Sequence, residues 1–454
     1  MTRKFFPFLL LLLLPLLAAL LANPAHAVGW CGNPAQPCNP DSPSSGCYRP
    51  KKPDPRCEPK ECGKCTKSPC YVASGVYEGS VVDLELPTTG LPLAATRNYQ
   101  SSQMIDGPTG YGWTSSFAAR LYSTVYLFAA PSTYQRRAVV IMPDGARYVF
   151  ADNGNGTFTP PAGRYDVLVR NGDGTFDLTL QHSRSVLHFG VDGSLVSLTD
   201  EYGNALLMTY DASGRIERFA DAAGSGRFID VFWGADGRIA LLQDSAGRTV
   251  EYAYDAQGVM TAATDPLDRT TFYNYVQGKY VPLLAGVRDH WNRVVTEISY
   301  DPQDRVRTYS EQLETWTYTY NYQNDPAKTA KTDQFGNTWV FTHGAGGLVT
   351  ATTPPPGAGG AVSSVSYNAD GSIQQETDEA GVKTAYTYDA LGRVTSVTRD
   401  YQGSKAVRYD YEYQPLFPDK VIAVTPRKPS TGAIDPTWQG SRYDYYEAGS
   451  PAPG

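Results

Sequence analysis

From residue 71 onward, the chain alternates apolar and polar positions in short runs that glycine and proline interrupt. In residues 81–93, valine and leucine fall at alternate positions on both sides of Pro87-Thr-Thr-Gly90, which indicates a β-hairpin. Residues 138–190 hold further short runs joined by Asp-Gly or Asn-Gly, dipeptides that tolerate the positive φ of tight hairpin turns. We therefore predict a small N-terminal domain of β-hairpins over residues 71–194.

The most regular pattern begins near residue 195, where one position before an acidic turn recurs every 20 to 25 residues. Self-similarity at a nearly fixed period is the signature of a repeat architecture. A unit of about 22 residues holds two strands and two short turns. We predict about eight such repeats over residues 195–413. The recurring positions are Tyr210, Phe232, Tyr254, Tyr275, Tyr300, Tyr320, Thr342, Tyr367 and Tyr388.

An Asp-x-x-Gly-Arg turn follows the aromatic residue directly at Tyr210 and Tyr388, and other units keep parts of this pattern. In such a turn the aspartate bonds its own backbone, the glycine adopts a left-handed conformation and the arginine opens the next strand. We interpret these residues as structural. The repeat-motif residues are Tyr210, Asp211, Gly214, Arg215, Tyr254, Asp255, Tyr300, Asp301, Tyr388, Asp389, Gly392 and Arg393.

A lone hairpin of this length is marginally stable in water, so neighbouring units must stack into one antiparallel sheet. We predict an all-β chain whose repeat sheet coils as a spiral, and the sequence leaves open whether it forms an open, partial or closed shell. Residues 414–454 are rich in proline and lack the repeat, so we predict an irregular tail there.

The N-terminus has the layout of a secretory signal peptide. Arg3 and Lys4 precede an apolar run over residues 5–22, and the small-residue site Ala25-His26-Ala27 follows. We predict a signal peptide over residues 1–27 and a mature chain that is secreted, periplasmic or on the cell surface, without a membrane span. An uncleaved anchor is the alternative, because eighteen helical residues span about 27 Å, close to the thickness of a bilayer core.

All seven cysteines fall within residues 28–70, a polar leader rich in proline and lysine. Crowded cysteines in an exported segment that cannot build a core indicate a disulfide framework, of unknown connectivity. A zinc site at Cys62-x-x-Cys65 is an alternative, although no second such pair and no nearby histidine accompany it. The odd number also leaves open a lipidated Cys31. The disulfide candidates are Cys31, Cys38, Cys47, Cys57, Cys62, Cys65 and Cys70.

The charge balance and the polar residues narrow the function. Lys and Arg number 39 against 46 Asp and Glu, with no basic tract, which argues against a nucleic-acid partner. No carboxylate pair stands outside the repeats as a glycosidase would need, and no nucleophile motif accompanies the scattered His182, His188, His290 and His343. Asn171–Asp177 resembles part of a calcium loop but lacks the distal glutamate, so a hairpin turn is preferred. We predict no enzymatic activity, no cofactor and no metal site.

The repeats resemble the rearrangement-hotspot (RHS) or YD-repeat family, which includes bacterial polymorphic toxins, toxin-complex components and the animal teneurins. Tyr388-Asp389-Ala390-Leu391-Gly392-Arg393-Val394 is close to that family's motif. The preceding block resembles the small domain that often stands before the repeats, through Arg97-x-Tyr99-x-Ser101 and Gly110-Tyr111-Gly112-Trp113. The resemblance covers residues 68–413.

This resemblance implies a sheet that spirals into a cocoon, which encloses a C-terminal toxin in bacterial members and presents an adhesive surface in others. The family's Asp-Pro-x-Gly core motif is not matched, because Asp435-Pro436-Thr437-Trp438 lacks the glycine. We expect an exported scaffold or shell fragment without its own toxin domain, whose partner is a toxin or a further shell segment encoded elsewhere. The alternative is a carbohydrate-binding or adhesive module that stacks exposed tyrosines on surface glycans.

Overall fold

The computed structural model describes residues 70–442, except 89, 104–105, 128–133, 144, 182, 277, 280–281, 312, 345–346, 401–405, 415–419 and 437–439. The predicted signal peptide, six of the seven cysteines and the end of the tail lie outside these residues. Within them the chain forms 34 strands and a short 3-10 helix at Tyr322–Asn324. The all-β class is therefore confirmed.

A small antiparallel sheet contains the hairpin predicted around Pro87. Leu86 pairs with Leu93 across that turn, which confirms the hairpin. Side chains alternate between the two faces of a strand, so Leu84, Leu86 and Leu93 share one buried face. The three strands of the sheet are β1 (Glu78–Leu86), β2 (Leu93–Gln100) and β5 (Trp113–Ser115), and a separate ribbon consists of β3 (Asp106–Gly107) and β4 (Gly110–Tyr111).

The other strands form one large antiparallel sheet in which each strand pairs with the next along the chain. The strands of residues 120–189 belong to this sheet together with the repeats, although their sequence lacks the repeat motif. Strands β33 and β34 extend it into the region that sequence predicts as an irregular tail. The strands are β6 (Arg120–Leu127), β7 (Tyr134–Ile141), β8 (Arg147–Asp152), β9 (Thr157–Thr159), β10 (Val167–Arg170), β11 (Phe176–Thr179), β12 (Val186–Phe189), β13 (Leu195–Thr199), β14 (Ala205–Tyr210), β15 (Ile216–Asp221), β16 (Phe228–Trp233), β17 (Ile239–Asp244), β18 (Thr249–Tyr254), β19 (Met260–Thr264), β20 (Thr270–Tyr275), β21 (Leu284–Arg288), β22 (Val294–Tyr300), β23 (Val306–Glu311), β24 (Glu314–Tyr320), β25 (Lys328–Asp333), β26 (Thr338–His343), β27 (Val349–Thr353), β28 (Ser363–Tyr367), β29 (Ile373–Thr377), β30 (Lys383–Tyr388), β31 (Val394–Arg399), β32 (Val407–Tyr413), β33 (Val421–Arg427) and β34 (Ser441–Arg442).

Successive turns of the large sheet lie alternately on its two edges, because neighbouring strands run in opposite directions. Here an edge means the row of turns at one end of the strands, not an outermost strand. We call edge A the row that contains the turn after β14 and every second turn before and after it. Edge B carries the turn after β13 and the alternate set. The Tyr-Asp turns of the repeat motif, such as Asp211–Arg215 and Asp389–Arg393, thus lie on edge A.

The large sheet returns on itself, with edge A against edge B. Tyr165, after β9 on edge B, donates its hydroxyl to Asp370, after β28 on edge A, over 2.5 Å. Lys420, between β32 and β33 on edge A, forms an ion pair of 3.1 Å with Glu201, after β13 on edge B. In both contacts the paired turns are 19 strands apart along the sheet.

The recurrent aromatic residue ties each repeat to the strand before it. Tyr210 donates its hydroxyl to the backbone carbonyl of Leu195 over 2.7 Å, and Tyr388 donates to the carbonyl of Ile373 over 2.7 Å. A β-bulge in the register with the following strand lies at both tyrosines. The same bond recurs at Tyr254, Tyr300, Tyr320, Tyr367 and Tyr413.

Two of the predicted positions, Phe232 and Thr342, are wrong by one residue. Trp233 lies at the bulge and donates its indole N–H to the carbonyl of Ile216 over 2.8 Å. The bulge on β26 likewise falls at His343. Because Gly234 and Gly344 stand where other units have the turn aspartate, the acidic residue is a misleading marker there.

Each turn aspartate accepts hydrogen bonds from the backbone of its own turn, and in most of these turns also from the arginine that follows it. At Asp211, Oδ1 accepts the backbone N–H groups of Ser213 and Arg215 at 2.8 and 2.9 Å, and Oδ2 accepts Arg215 Nε at 2.8 Å. The backbone bond from Arg215 contributes most to a lowered pKa of this carboxyl. Gly214 has a φ of 75°, which a side chain would strain. Equivalent pairs are Asp244–Arg248, Asp265–Arg269, Asp289–Arg293, Asp301–Arg305 and Asp389–Arg393, whereas Asp255 binds backbone only, since Val259 replaces the arginine.

We expect Tyr210→Phe to lower the free energy of unfolding by about 1 kcal/mol, because the carbonyl of Leu195 loses its donor. Denaturant titration followed by circular dichroism measures the change. Tyr122→Phe is the matched control, since the Tyr122 hydroxyl makes no hydrogen bond within the described residues and its ring is 45% exposed. Equal losses in the two variants would contradict the anchoring role.

Candidate functional site: the junction of the two sheets

The small sheet packs on the buried face of the large sheet, and Arg97 on β2 lies at the centre of their junction. Its side chain is completely enclosed, and its Nε and Nη2 donate to the carboxylate of Asp83 over 2.5 and 2.8 Å. From the large sheet, Met260 Sδ accepts from Nη1 at 2.9 Å and the Tyr273 hydroxyl from Nη2 at 3.3 Å. The planar fork of an arginine suits such a bidentate pair.

Three aromatic rings surround the guanidinium. Its central carbon lies 5.0 Å from the ring centre of Trp113, 4.9 Å from that of Tyr252 and 5.6 Å from that of Tyr273. Cation–π attraction of this kind strengthens when the cation is desolvated. Tyr252 also donates its hydroxyl to Asp83 over 2.6 Å, so the carboxylate is bonded from both sheets.

Burial and the neighbouring charges shift the pKa values of Arg97 and Tyr252. Burial by itself lowers the pKa of Arg97. The charge of Asp83 and the neighbouring tyrosines outweigh that effect, so the net pKa lies well above its ordinary value. Burial, and then the charge of Asp83, raise the pKa of Tyr252 well above its usual range. Arg97 therefore stays charged and Tyr252 stays neutral at physiological pH.

The motif residues of the small domain meet at this same place. The Tyr99 hydroxyl accepts the backbone N–H of Leu284 over 2.8 Å, and Trp113 Nε1 donates to the Tyr275 hydroxyl over 2.9 Å. Gly112 has a φ of 76°, and a Cβ there would lie 2.6 Å from the Tyr99 ring. Ser101 instead acts within the small domain, where its Oγ accepts the N–H of Tyr77. Sequence reasoning noted these motifs but missed their partners Asp83, Met260, Tyr252 and Tyr273.

The N-terminal segment also runs along edge A. The carbonyl of Gly75 accepts the N–H of Val306 over 2.8 Å, and that of Pro108 accepts the N–H of Ile239 over 2.9 Å. Asp106 forms an ion pair of 2.6 Å with Arg238 in the turn after β16. These contacts extend the junction from the face of the large sheet to its edge.

The large sheet buries a second cation, five strands away from Tyr273. Lys331 on β25 is 4% exposed, and its Nζ lies 3.8 Å from the ring centre of Trp316. Burial lowers the pKa of Lys331 to about 8, against smaller opposing effects of Cys70 and Glu314. Cys70, the one disulfide candidate among the described residues, is buried, and its backbone forms an isolated antiparallel β-bridge with Tyr77. The disulfide framework stays a prediction.

The remaining sequence candidates do not assemble a chemical site in the described part of the chain. Asn171–Asp177 forms the hairpin turn between β10 and β11, where Asp173 accepts the N–H and hydroxyl of Thr175, as the preferred interpretation required. Over the same residues, no group of three His, Cys, Asp or Glu could hold a metal ion. His188, His290 and His343 lie on β12, after β21 and on β26, and His182 lies outside the described residues.

The junction and the repeats match two known sequence families. A domain of unknown function, DUF6531, matches residues 67–150, which include Arg97 and Trp113. The RHS Repeat family matches residues 367–404, which include the turn at Asp389. The chain is an RHS-repeat protein. No curated protein sequence matches this RHS-repeat protein.

Among solved structures, this RHS-repeat protein is similar to a mutant Photorhabdus luminescens Tc holotoxin pore, with 12% identity over 71% of this chain and 23% of that chain, at a TM-score of 0.37. It is also similar to TcdB2-TccC3, with 12% identity over 92% of this chain and 25% of that chain, at a TM-score of 0.38. The chain thus spans about a quarter of the length of these structures. Over the described residues, no helix is long and apolar enough to cross a membrane.

We expect Arg97→Met to lower the free energy of unfolding by about 3–5 kcal/mol, because it leaves the Asp83 carboxylate buried without its cation. The control Arg218→Met breaks a more exposed pair with Asp230 and should cost about 1 kcal/mol or less. Chemical denaturation of both variants provides the comparison. Similar losses of unfolding free energy in the two variants would show that burial does not make the Arg97–Asp83 pair more important for stability.

We expect Lys331→Met to stabilise the protein below pH 8. Below pH 8, Lys331 is charged in the folded and in the unfolded state, but only the folded state bears the cost of desolvating the charge. The difference between a pKa of about 8 in the folded state and 10.5 in the unfolded state corresponds to about 3 kcal/mol. Between pH 8 and 10.5 the unfolded chain binds more protons, so the wild type gains stability and the difference shrinks. Thermal midpoints at pH 7 and pH 10 test this, with Lys328→Met on the same strand as control. A gain that does not change with pH would contradict it.

Proposed function

We propose that this RHS-repeat protein is an exported structural scaffold that forms part of a β-sheet shell of the toxin-delivery type. The observation that carries the proposal is the double return of edge A onto edge B, at Tyr165–Asp370 and at Glu201–Lys420, each after 19 strands. The equal strand numbers at these two contacts support a spiral in which the sheet stacks on itself.

The dimensions of this spiral support an enclosed volume. Neighbouring strands are about 4.8 Å apart, so 19 strands give a perimeter of about 90 Å and a diameter of about 30 Å. Side chains take up roughly 5 Å on each inner wall, since packed sheets are about 10 Å apart. A lumen about 20 Å wide remains in the first turn, which is enough for a small folded element.

The small sheet occupies part of that lumen. It contacts Phe219 on β15 through Phe117 and Tyr309 on β23 through Tyr77, strands that would be about 40 Å apart in a flat sheet. Three strands are only about 10–15 Å wide. The large sheet must therefore curve around the small sheet, which places the small sheet on the concave side, where Arg97 holds it.

The scaffold would act without catalysis and would take its cargo from elsewhere. The carboxylates of the repeat turns are bound by their own arginines and backbone, as at Asp211 and Asp389, which supports a structural role for them. The predicted signal peptide supports export to a secreted, periplasmic or cell-surface location. A toxin or a further shell segment encoded elsewhere is the proposed partner.

A passenger-protection experiment tests the shell. An unfolded reporter peptide fused after residue 454 should resist protease in the wild type. In a Tyr165→Ala/Lys420→Glu variant, which breaks both return contacts, it should be cleaved at least about tenfold faster, because opening exposes the lumen. Lys328→Glu, at the surface pair with Asp325, is the control. Equal cleavage in all three proteins would reject the shell, and selective binding on a glycan array would then favour the adhesive alternative.

A further inference from the structure

The concave face of the large sheet includes strands β24 to β26, and Lys331 is buried there. Tyr77 of the N-terminal segment packs its ring on Tyr309 of β23, so the face that carries Tyr309 is the one that the small sheet covers. Trp316 on β24 is the cross-strand neighbour of Tyr309. Lys331 on β25 pairs with Tyr318, two residues after Trp316, and so shares this face. The lysine therefore lies on the lumen side of the proposed shell.

The ammonium group of Lys331 has no anionic partner in the described part of the chain. Its Nζ forms neither a hydrogen bond nor an ion pair with any of these residues. Glu314 on β24 is exposed and makes no ion pair with it. Asp333, two residues along the same strand, instead accepts the backbone and side-chain N–H groups of Asn337. A charge that is 4% exposed is thus left without a carboxylate.

The fold itself gains nothing from this charge. Burial lowers the pKa of Lys331 to about 8 because the folded protein desolvates the ammonium group, and Cys70 and Glu314 offset this only in part. An apolar side chain of similar length would pack against Trp316 without that cost. Side chains that lower stability in this way are typical of functional sites, where a ligand supplies the missing interaction.

Two half-buried tryptophans flank Lys331 on the neighbouring strands. Trp339 is its cross-strand partner on β26, and Trp316 lies on β24, with its ring centre 3.8 Å from the Lys331 Nζ. The centres of the two indole rings are 5.7 Å apart. Their accessible area forms an apolar surface around a single cation. A ligand that fits this surface has a carboxylate for the ammonium group and an apolar part for the rings.

A second polar atom on the same face favours a polypeptide over a small acid. The Nδ1 atom of His343 on β26 is buried without a hydrogen-bond partner among the described residues, while its Nε2 bonds the Thr329 hydroxyl over 3.1 Å. Thr329 precedes Lys331 by two residues on β25, which is about 7 Å along the strand. A single carboxylate group is too short to serve both positions. A stretch of polypeptide offers a side chain to one and backbone polar groups to the other.

We propose that Lys331 binds a carboxylate side chain of a polypeptide enclosed in the shell, with Trp316 and Trp339 packing on the residues beside it. The nature of the occupant rests on the shell proposed above, because the site faces its lumen. Charge complementarity selects an acidic residue, and the two rings select apolar neighbours for it.

Calorimetric titration and tryptophan fluorescence of the purified full chain test the site with two probes. One is sodium acetate, and the other is a short peptide with blocked ends that has one aspartate between two valines. Both should bind the wild type and compete with each other. Lys331→Met should weaken peptide binding at least about 30-fold, because the buried carboxylate loses its cation. This variant should be more stable than the wild type, so unfolding does not explain its loss of binding.

Lys328→Met is the matched control, because Lys328 lies on the same strand but on the opposite face, where it pairs with Asp325. It should bind the peptide as the wild type does. A second control is the same peptide with asparagine in place of the aspartate, which should not bind. Circular dichroism shows whether both variants keep the fold.

Absence of peptide binding would overturn the proposal. Binding of acetate alone would assign the site to small acids and equally reject the polypeptide. Peptide binding that persists in Lys331→Met, is lost in Lys328→Met or survives the change to asparagine would also contradict it. The titrations need no passenger, so they fail independently of the protease experiment. A shell that protects its passenger but does not bind the peptide would keep its proposed function and lose this site.

Discussion

The buried pair of Arg97 and Asp83 is the interaction on which the arrangement of the two sheets depends. Hydrophobic burial drives the sheets together, but it is non-directional and would tolerate several positions of one sheet on the other. A guanidinium that must bond a carboxylate, the Met260 thioether and the Tyr273 hydroxyl at once has one satisfactory position. Displacement of the small sheet by one residue would leave charges buried without partners, at a cost of several kcal/mol.

That constraint also explains the motifs around it. Tyr99 and Trp113 bond the large sheet on either side of Arg97, and Gly112 is required because the Tyr99 ring fills the space of a side chain. The repeats contribute a tyrosine at alternate positions near the strand end, so Tyr252 and Tyr254 face the same side. One reaches the junction while the other anchors its own hairpin. A single repeat pattern thus serves both stability and docking.

Local features were predictable from the sequence and distant ones were not. The hairpin at Pro87, the Asp–Arg turns and the repeat period follow from chemistry within five to 25 residues. The partners of Arg97 on the large sheet could not be identified, since Tyr252 lies 155 positions further on and period-two alternation does not say which strand faces which. Strands β6 to β12 entered the large sheet without carrying the motif, because antiparallel pairing needs only compatible faces and short turns. Trp233 and His343 were missed where glycine replaced the marker aspartate.

The turn chemistry also explains why the third residue of the turn varies from one unit to the next. In an Asp-x-x-Gly-Arg turn, the aspartate, the left-handed fourth position and the arginine are fixed by hydrogen bonds, whereas the third residue contributes only its backbone N–H. Its side chain is therefore free of structural duty, and Ser213 and Trp291 occupy the same geometry equally well. Solvation favours a polar residue at such a place, since an exposed apolar side chain adds nothing to folding. The third position can therefore hold polar or large apolar residues on either edge without a change in the turn, as Ser213, Leu391 and Trp291 show.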